Sequence, residues 1–310
     1  MTWTCRQLTS GTAQGQYHAH SYYDVPVMDD AERFVAAHQI NFKDRHPGPT
    51  DAVEVGVIDA QNPASNWQPV GVSRAWSWQQ GPHTQWVPGT QLLLWNDRDG
   101  DTFVARLYDH ASGQTKTLPR PAYAIDPSGR YLLSLNMARL NGVRPGYGYA
   151  GGEGTRLDAR FPADDGVWKV DLATGYETLL LSCRRAVELL ARFRPRSFPW
   201  RQWRRGTVYW FNHAKISPDG KRFTVKLRWR SRDLSVPWTE AQGVSLTCGT
   251  DGNDLRLLDE ATSHVIWLND EELFFWQRDG VYLNVDTAPV GQRRHPFFPE
   301  HLRENVHLRR

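Results

Sequence analysis

Cysteine is scarce: Cys5, Cys183 and Cys248 are the only three in 310 residues, widely separated and without the close spacing of a zinc knuckle. Any disulfide scheme leaves one thiol over, which excludes a disulfide framework and favours a reducing, cytoplasmic location. Long apolar runs are lacking too. No stretch approaches the roughly 18 consecutive apolar residues of a membrane span, so no membrane partner is expected. Met1 to Arg6 lacks the basic segment and apolar core of a secretory signal, although a mature secreted chain would read the same. Charge of one sign is missing as well: 37 Lys and Arg stand against 34 Asp and Glu, and a net +3 is too small to indicate a nucleic-acid partner. Aromatics, in contrast, are abundant. Fourteen Trp favour sheets, and flat ring faces also suit sugar stacking.

The stretch Phe211-Asn-His-Ala-Lys-Ile-Ser-Pro-Asp-Gly-Lys-Arg-Phe-Thr-Val225 sets the pattern of the chain. An apolar strand leads into Ser217-Pro-Asp-Gly220, where Pro sets φ at the first corner and Gly accepts the positive φ that closes the turn; a second strand follows. Similar units begin at Tyr17, at His83, at Tyr123 (with the turn Asp126-Pro-Ser-Gly129) and at Ser263. Most go on to a further strand ending in Asp: Val53 to Asp59, Phe103 to Asp109, Gly166 to Asp171, Asp254 to Asp259. A period of about 40 to 50 residues with this rhythm is that of four-stranded propeller blades, whereas helices would need apolar spacings of three and four. The expected fold is an all-β propeller, residues 1–310 forming one domain with five repeats and the start of a sixth at Glu304 to Arg309. Closure removes sheet edges, so a truncated, seven-bladed parent is expected.

Two insertions interrupt the rhythm. Residues 139–163, with Gly146-Tyr-Gly-Tyr-Ala-Gly-Gly152, read as a mobile loop on one rim that offers Tyr147 and Tyr149. Residues 183–206 begin with helical spacing and carry eight arginines between Arg184 and Arg205. That run is either a solvated face or a cap for anions, with Trp200 and Trp203 placed to stack on sugar.

The histidines keep register with the turns. His83, His213 and His264 each lie five residues before the turn position, occupied by Pro88, Pro218 and Asn269, while His307 opens the sixth unit and His18 and His20 precede the first. First strands of blades line a propeller's channel, where imidazoles can serve as base or metal ligand, or simply hydrogen-bond between blades. Arg228, 15 residues beyond His213 on the returning strand, brings a cation toward the same mouth or makes a surface ion pair. Trp78 and Gln80, in Trp76-Ser-Trp-Gln-Gln-Gly81, can meet sugar faces and hydroxyls, with His20 and His83 beside them, or can bond between blades.

Asn212-His-Ala-Lys-Ile-Ser-Pro-Asp-Gly-Lys-Arg-Phe223, Trp76-Ser-Trp-Gln-Gln-Gly81 and Asp165-Gly-Val-Trp-Lys-Val-Asp-Leu-Ala-Thr-Gly175 resemble the TolB-like propellers that include oligogalacturonate lyase and the propeller-type ulvan lyases. The likeness runs from about Tyr17 onward and implies β-elimination on an acidic, uronate-containing oligosaccharide. By that resemblance His213 matches the blade-opening His, His264 the next one and His307 a further metal ligand; on the lyase reading His213 is the candidate base, Arg228 neutralises the carboxylate, and His264 and His307 serve as ligands or acid. The implied cofactor is a divalent metal ion (Mn, Ca or Zn), with no organic cofactor. The chain departs from the family by lacking the Gln and His cluster beyond His307. The alternative is a non-catalytic propeller that binds a carbohydrate or protein partner; hydrolysis by paired carboxylates is weaker, since Asp and Glu fall mainly at turns and blade ends.

Overall fold

The computed structural model describes residues 4–9, 15–62, 67–193, 206–237, 241–260, 263–276, 281–284 and 295–296. Four-stranded antiparallel sheets follow one another along the chain. The first is β1 (Tyr17–Ala19), β2 (Phe34–Ile40), β3 (Val53–Asp59) and β4 (Trp67–Ser73). The second is β5 (Gln85–Trp86), β6 (Leu92–Asp99), β7 (Thr102–Asp109) and β8 (Thr115–Leu118). β9 (Ala124–Ile125), β10 (Tyr131–Ser134), β11 (Gly166–Asp171) and β12 (Glu177–Ser182) make the third. β13 (Thr207–Ile216), β14 (Arg222–Ser231), β15 (Gln242–Gly249) and β16 (Arg256–Glu260) make the fourth, and β17 (Ser263–Trp267), β18 (Glu272–Trp276), β19 (Val281–Asn284) and β20 (His295–Pro296) the fifth. Each sheet keeps sequence order across its strands, the meander of a propeller blade, so the all-β propeller class expected from the repeats is the one observed. The unit expected at Glu304 lies outside the described residues.

Local chemistry explains the joints. In the fourth sheet the Gly220 N–H donates to Ser217 O at 2.9 Å, with Gly220 at φ +72°, and the Asp126–Gly129 turn closes the same way at 2.8 Å. The aspartates that end third strands accept hydrogen bonds from the turns that follow: Asp109 from Ala111 N and Ser112 Oγ, Asp171 from Thr174 N and Oγ1, Asp59 from Gln61 N and Asn62 N. Those bonds hold the carboxyls of Asp109 and Asp171 below the ordinary carboxylate range.

The chain divides into two compact units, Met1–Leu157 with Trp168–Thr178, and Asp158–Val167 with Leu179–Arg310. In the first, both faces of the second sheet are buried. Leu93 and Trp95 pack with Ala36, Val55 and Val57, whereas Leu94, Ala105 and Leu107 pack with Ala122, Leu132 and Val170. Each fully buried aliphatic side chain contributes about 1.5–3 kcal/mol against the entropy of ordering. In the second unit Phe223, Val225, Leu227 and Trp229 line one face of β14 and are buried. Helix α2 (Cys183–Phe193) packs against β13 and β16, burying Cys183, Ala186, Val187 and Leu190 at the spacing its sequence predicts. Cys183 and Cys248 are buried, Cys5 is exposed, and all three are free thiols.

Part of the first insertion departs from the rim-loop expectation. Helix α1 (Met137–Val143) opens it, capped by Asn136, whose Oδ1 accepts the Arg139 N–H at 2.8 Å. Tyr147 and Tyr149 are buried. The glycine between them serves close approach, because a Cβ on Gly148 would lie 2.3 Å from Met137 O and 2.4 Å from Asn141 N.

Candidate functional site

The three histidines in register share a backbone state. His83, His213 and His264 have φ of 50°, 54° and 50°, a left-handed conformation that costs a non-glycine residue about 1–2 kcal/mol. Its cause is visible in the pairing. β13 slips against β14 between Asn212 and Lys215, and β17 against β18 between Ser263 and Ile266. His213 and His264 therefore sit in β-bulges, devices that bend a strand and re-aim a side chain. His83 lies two residues before β5. His213 is half-buried and His264 exposed.

In the second unit, the strand paired with His213's strand carries the cations. Asn212 faces Lys226 across the ladder and Trp210 faces Arg228. Arg228 is half-buried; Lys226 is 6% exposed, and burial, followed by the neighbouring Arg228, pulls its amine down from 10.5 to about 7. An amine poised there can hold or release a proton near neutrality. Sequence reasoning found Arg228 and missed Lys226, although Thr224-Val-Lys-Leu-Arg-Trp-Arg230 alternates strictly between polar and apolar residues.

In the first unit His83 is 1% exposed; its Nε2–H donates to Gln80 Oε1 at 2.8 Å, and Gln80 Nε2 donates to Tyr147 O at 2.9 Å. Burial pulls the imidazole down to about 4, so it is neutral at pH 7, and its ring lies 4.7 Å from that of Tyr123. The Tyr147 hydroxyl donates to Tyr22 Oη at 3.3 Å, and the Arg144 guanidinium lies 3.9 Å from the centre of the Tyr147 ring. This tyrosine–arginine cluster was not expected from the sequence; only the Gly-Tyr-Gly-Tyr run signalled it. His20 has both ring nitrogens on backbone carbonyls, Nδ1 at 2.9 Å from Ala36 O and Nε2 at 3.1 Å from Val25 O. Trp78 is partly exposed and donates from Nε1 to Arg45 O at 2.6 Å. Tyr149 Oη accepts from Asn96 Nδ2 at 2.9 Å.

Gln80, His83 and Tyr147 are thus joined by hydrogen bonds and Tyr149 bonds separately to Asn96; all four are buried and as they stand present no open face to a sugar. Trp200, Trp203 and His307 lie outside the described residues. Among the described residues no group of three His, Cys, Asp or Glu side chains is placed to hold a metal ion; His307, the further ligand implied by the resemblance, lies outside them. Also among them, no helix is long and apolar enough to cross a membrane.

No protein-family model and no curated protein matches the chain. Solved structures do. One is an oligogalacturonate lyase in complex with manganese, 12% identical over 93% of this chain and 79% of that one, with a TM-score of 0.41. Another is a putative TolB from Agrobacterium tumefaciens, 13% identical over 88% and 72%, with a TM-score of 0.43. A prolyl endopeptidase structure matches at 12% identity and a TM-score of 0.46, and 35% of that longer chain is spanned. The likeness is one of fold alone.

Proposed function

We propose that the protein cleaves acidic, uronate-containing oligosaccharides by β-elimination, with His213 as base, Arg228 as the cation that neutralises the uronate carboxylate, and His264 as the acid. The observation that carries this reading is the bulged, left-handed His213 on a strand whose partner bears Lys226 and Arg228. His213 takes the proton from the carbon that bears the carboxylate. The electron pair left behind forms the new carbon–carbon double bond as the bond to the glycosidic oxygen breaks, and His264 gives that oxygen a proton. Charge builds on the carboxylate during proton removal, so a fixed guanidinium there lowers the barrier. No step is routed through a metal.

Elimination, unlike hydrolysis or binding, creates a conjugated unsaturated uronate, so ultraviolet absorbance should rise when the protein meets polygalacturonate or ulvan. His213→Ala should reduce that rate by about 10²–10⁴-fold. A folded full chain that produces no absorbance with any uronate polymer would sink the lyase reading. The burial of His83 on Gln80 favours a second reading, in which the histidines in register are structural and the propeller binds a carbohydrate or protein elsewhere, without catalysis. Retention of a uronate oligomer without absorbance change would decide for it.

A further inference from the structure

One face of the fourth sheet carries buried hydrogen-bonding groups that have nothing described to bond. Asn212 is 1% exposed, and neither its Oδ1 nor its Nδ2 has a partner among the described residues. Thr224 Oγ1 and Trp210 Nε1, in residues 2% and 3% exposed, are in the same condition. All belong to one patch. Residues directly paired in an antiparallel ladder put their side chains on the same face, which joins Asn212 to Lys226 and Trp210 to Arg228. Thr224, Lys226 and Arg228 alternate along one strand and so share that face.

A buried polar group left unbonded is destabilising, and gathering several on one patch is a cost that an occupant would remove. The chemistry of the patch specifies the occupant. The amide nitrogen, the hydroxyl, the indole N–H, the ammonium and the guanidinium all donate, and only Asn212 Oδ1 must accept. Such a set suits an anion with more than one oxygen. We propose that this face is an anion subsite in which Asn212 and Lys226, supported by Thr224 and Trp210, hold a carboxylate, with half-buried Arg228 toward its entrance. The amine's low affinity for its proton agrees, since a bound anion would favour the ammonium form. Either a uronate or a free small carboxylic acid supplies this chemistry. For the uronate source the proposal rests on the lyase reading and deepens it, adding a second carboxylate hold beside Arg228.

The test is calorimetric titration of the full chain with galacturonate and, separately, acetate. One-to-one binding is expected, weakened about tenfold or more in Lys226→Met and in Asn212→Leu. Binding of both ligands supports a subsite open to any small carboxylate; galacturonate alone supports a uronate subsite. Wild type that binds neither ligand overturns the proposal, as does a folded Lys226→Met that binds as tightly as wild type. Should both variants fail to fold, NMR titration of the labelled lysines in the wild type decides: acetate must raise the pH at which Lys226 titrates, and an unchanged titration refutes the subsite. His213→Ala separates this proposal from the lyase reading, because it should slow elimination by about 10²–10⁴-fold yet retain galacturonate binding.

Discussion

Replacing Lys226 with Met removes a buried amine and keeps most of its stem, so the pH dependence of folding should change in a calculable way. Lys226 titrates at about 7 in the folded chain against 10.5 when unperturbed, first because of burial and then because of Arg228. Each tenfold loss of proton affinity is worth about 1.4 kcal/mol, so keeping this amine charged costs the folded state about 3–6 kcal/mol. Between those two values the unfolded chain binds more protons than the folded one, so stability rises with pH. The gain is complete above the unfolded value, declines as pH falls toward the folded one, and is absent below it. Lys226→Met lacks this component. Guanidinium unfolding of wild type and variant at pH 7, 8 and 9, followed by Trp fluorescence, should show the stability difference moving by about 2 kcal/mol in favour of wild type from the lowest pH to the highest. Other titrating groups are common to both proteins and cancel. Lys226→Arg, which cannot shed its charge, should be less stable than wild type across the range. A difference that stays constant from pH 7 to 9 would show that the amine is solvated, and the buried polar face would no longer follow.

The left-handed histidines make a backbone prediction: His213→Gly should be more stable than His213→Ala by about 1 kcal/mol in thermal unfolding, the reverse of the order in an ordinary strand, and equal stabilities would deny the bulge conformation. Gly148→Ala should lower the melting temperature, at a cost of about 1–3 kcal/mol, because its methyl meets the Met137 carbonyl and the Asn141 amide; a neutral result would mean that the Tyr-Gly-Tyr segment does not lie against α1. Burial depresses His83 from 6.5 to about 4, so it is neutral when folded and stability is lost as pH falls through that window; His83→Gln should flatten the loss between pH 6.5 and 4.5 in melting curves, and an unchanged curve would contradict the burial.

The repeat was legible because its punctuation is local. Ser217-Pro-Asp-Gly220, Asp126-Pro-Ser-Gly129 and the aspartates at strand ends carry their own hydrogen bonds, so the first strands of each blade could be ordered from residues a few positions apart. Strand β4 and strand β15 carry no such marks. They owe their pairing to β3 and to β14 and β16, and partners that distant in the chain do not announce themselves. Gly148 was misleading for a related reason: a glycine beside two tyrosines reads as flexibility, but here it admits a helix backbone to van der Waals range.

For the site, register was readable and conformation was not. Counting from the turns brought His83, His213 and His264 into line, yet histidine's enrichment in the left-handed region is too slight to reveal a φ near +50° at any one position. Exposure was harder still. The alternation from Thr224 to Arg230 is what a strand with one wet face would show, and by that rule Lys226 belongs in solvent. A blade covered on both faces breaks the rule, because polarity in its central strand then marks buried groups that need partners. Asn212, Thr224 and Trp210 are buried on such a face with polar atoms unbonded among the described residues, and it is this, more than their proximity to a histidine, that makes an occupant the simplest explanation of their presence.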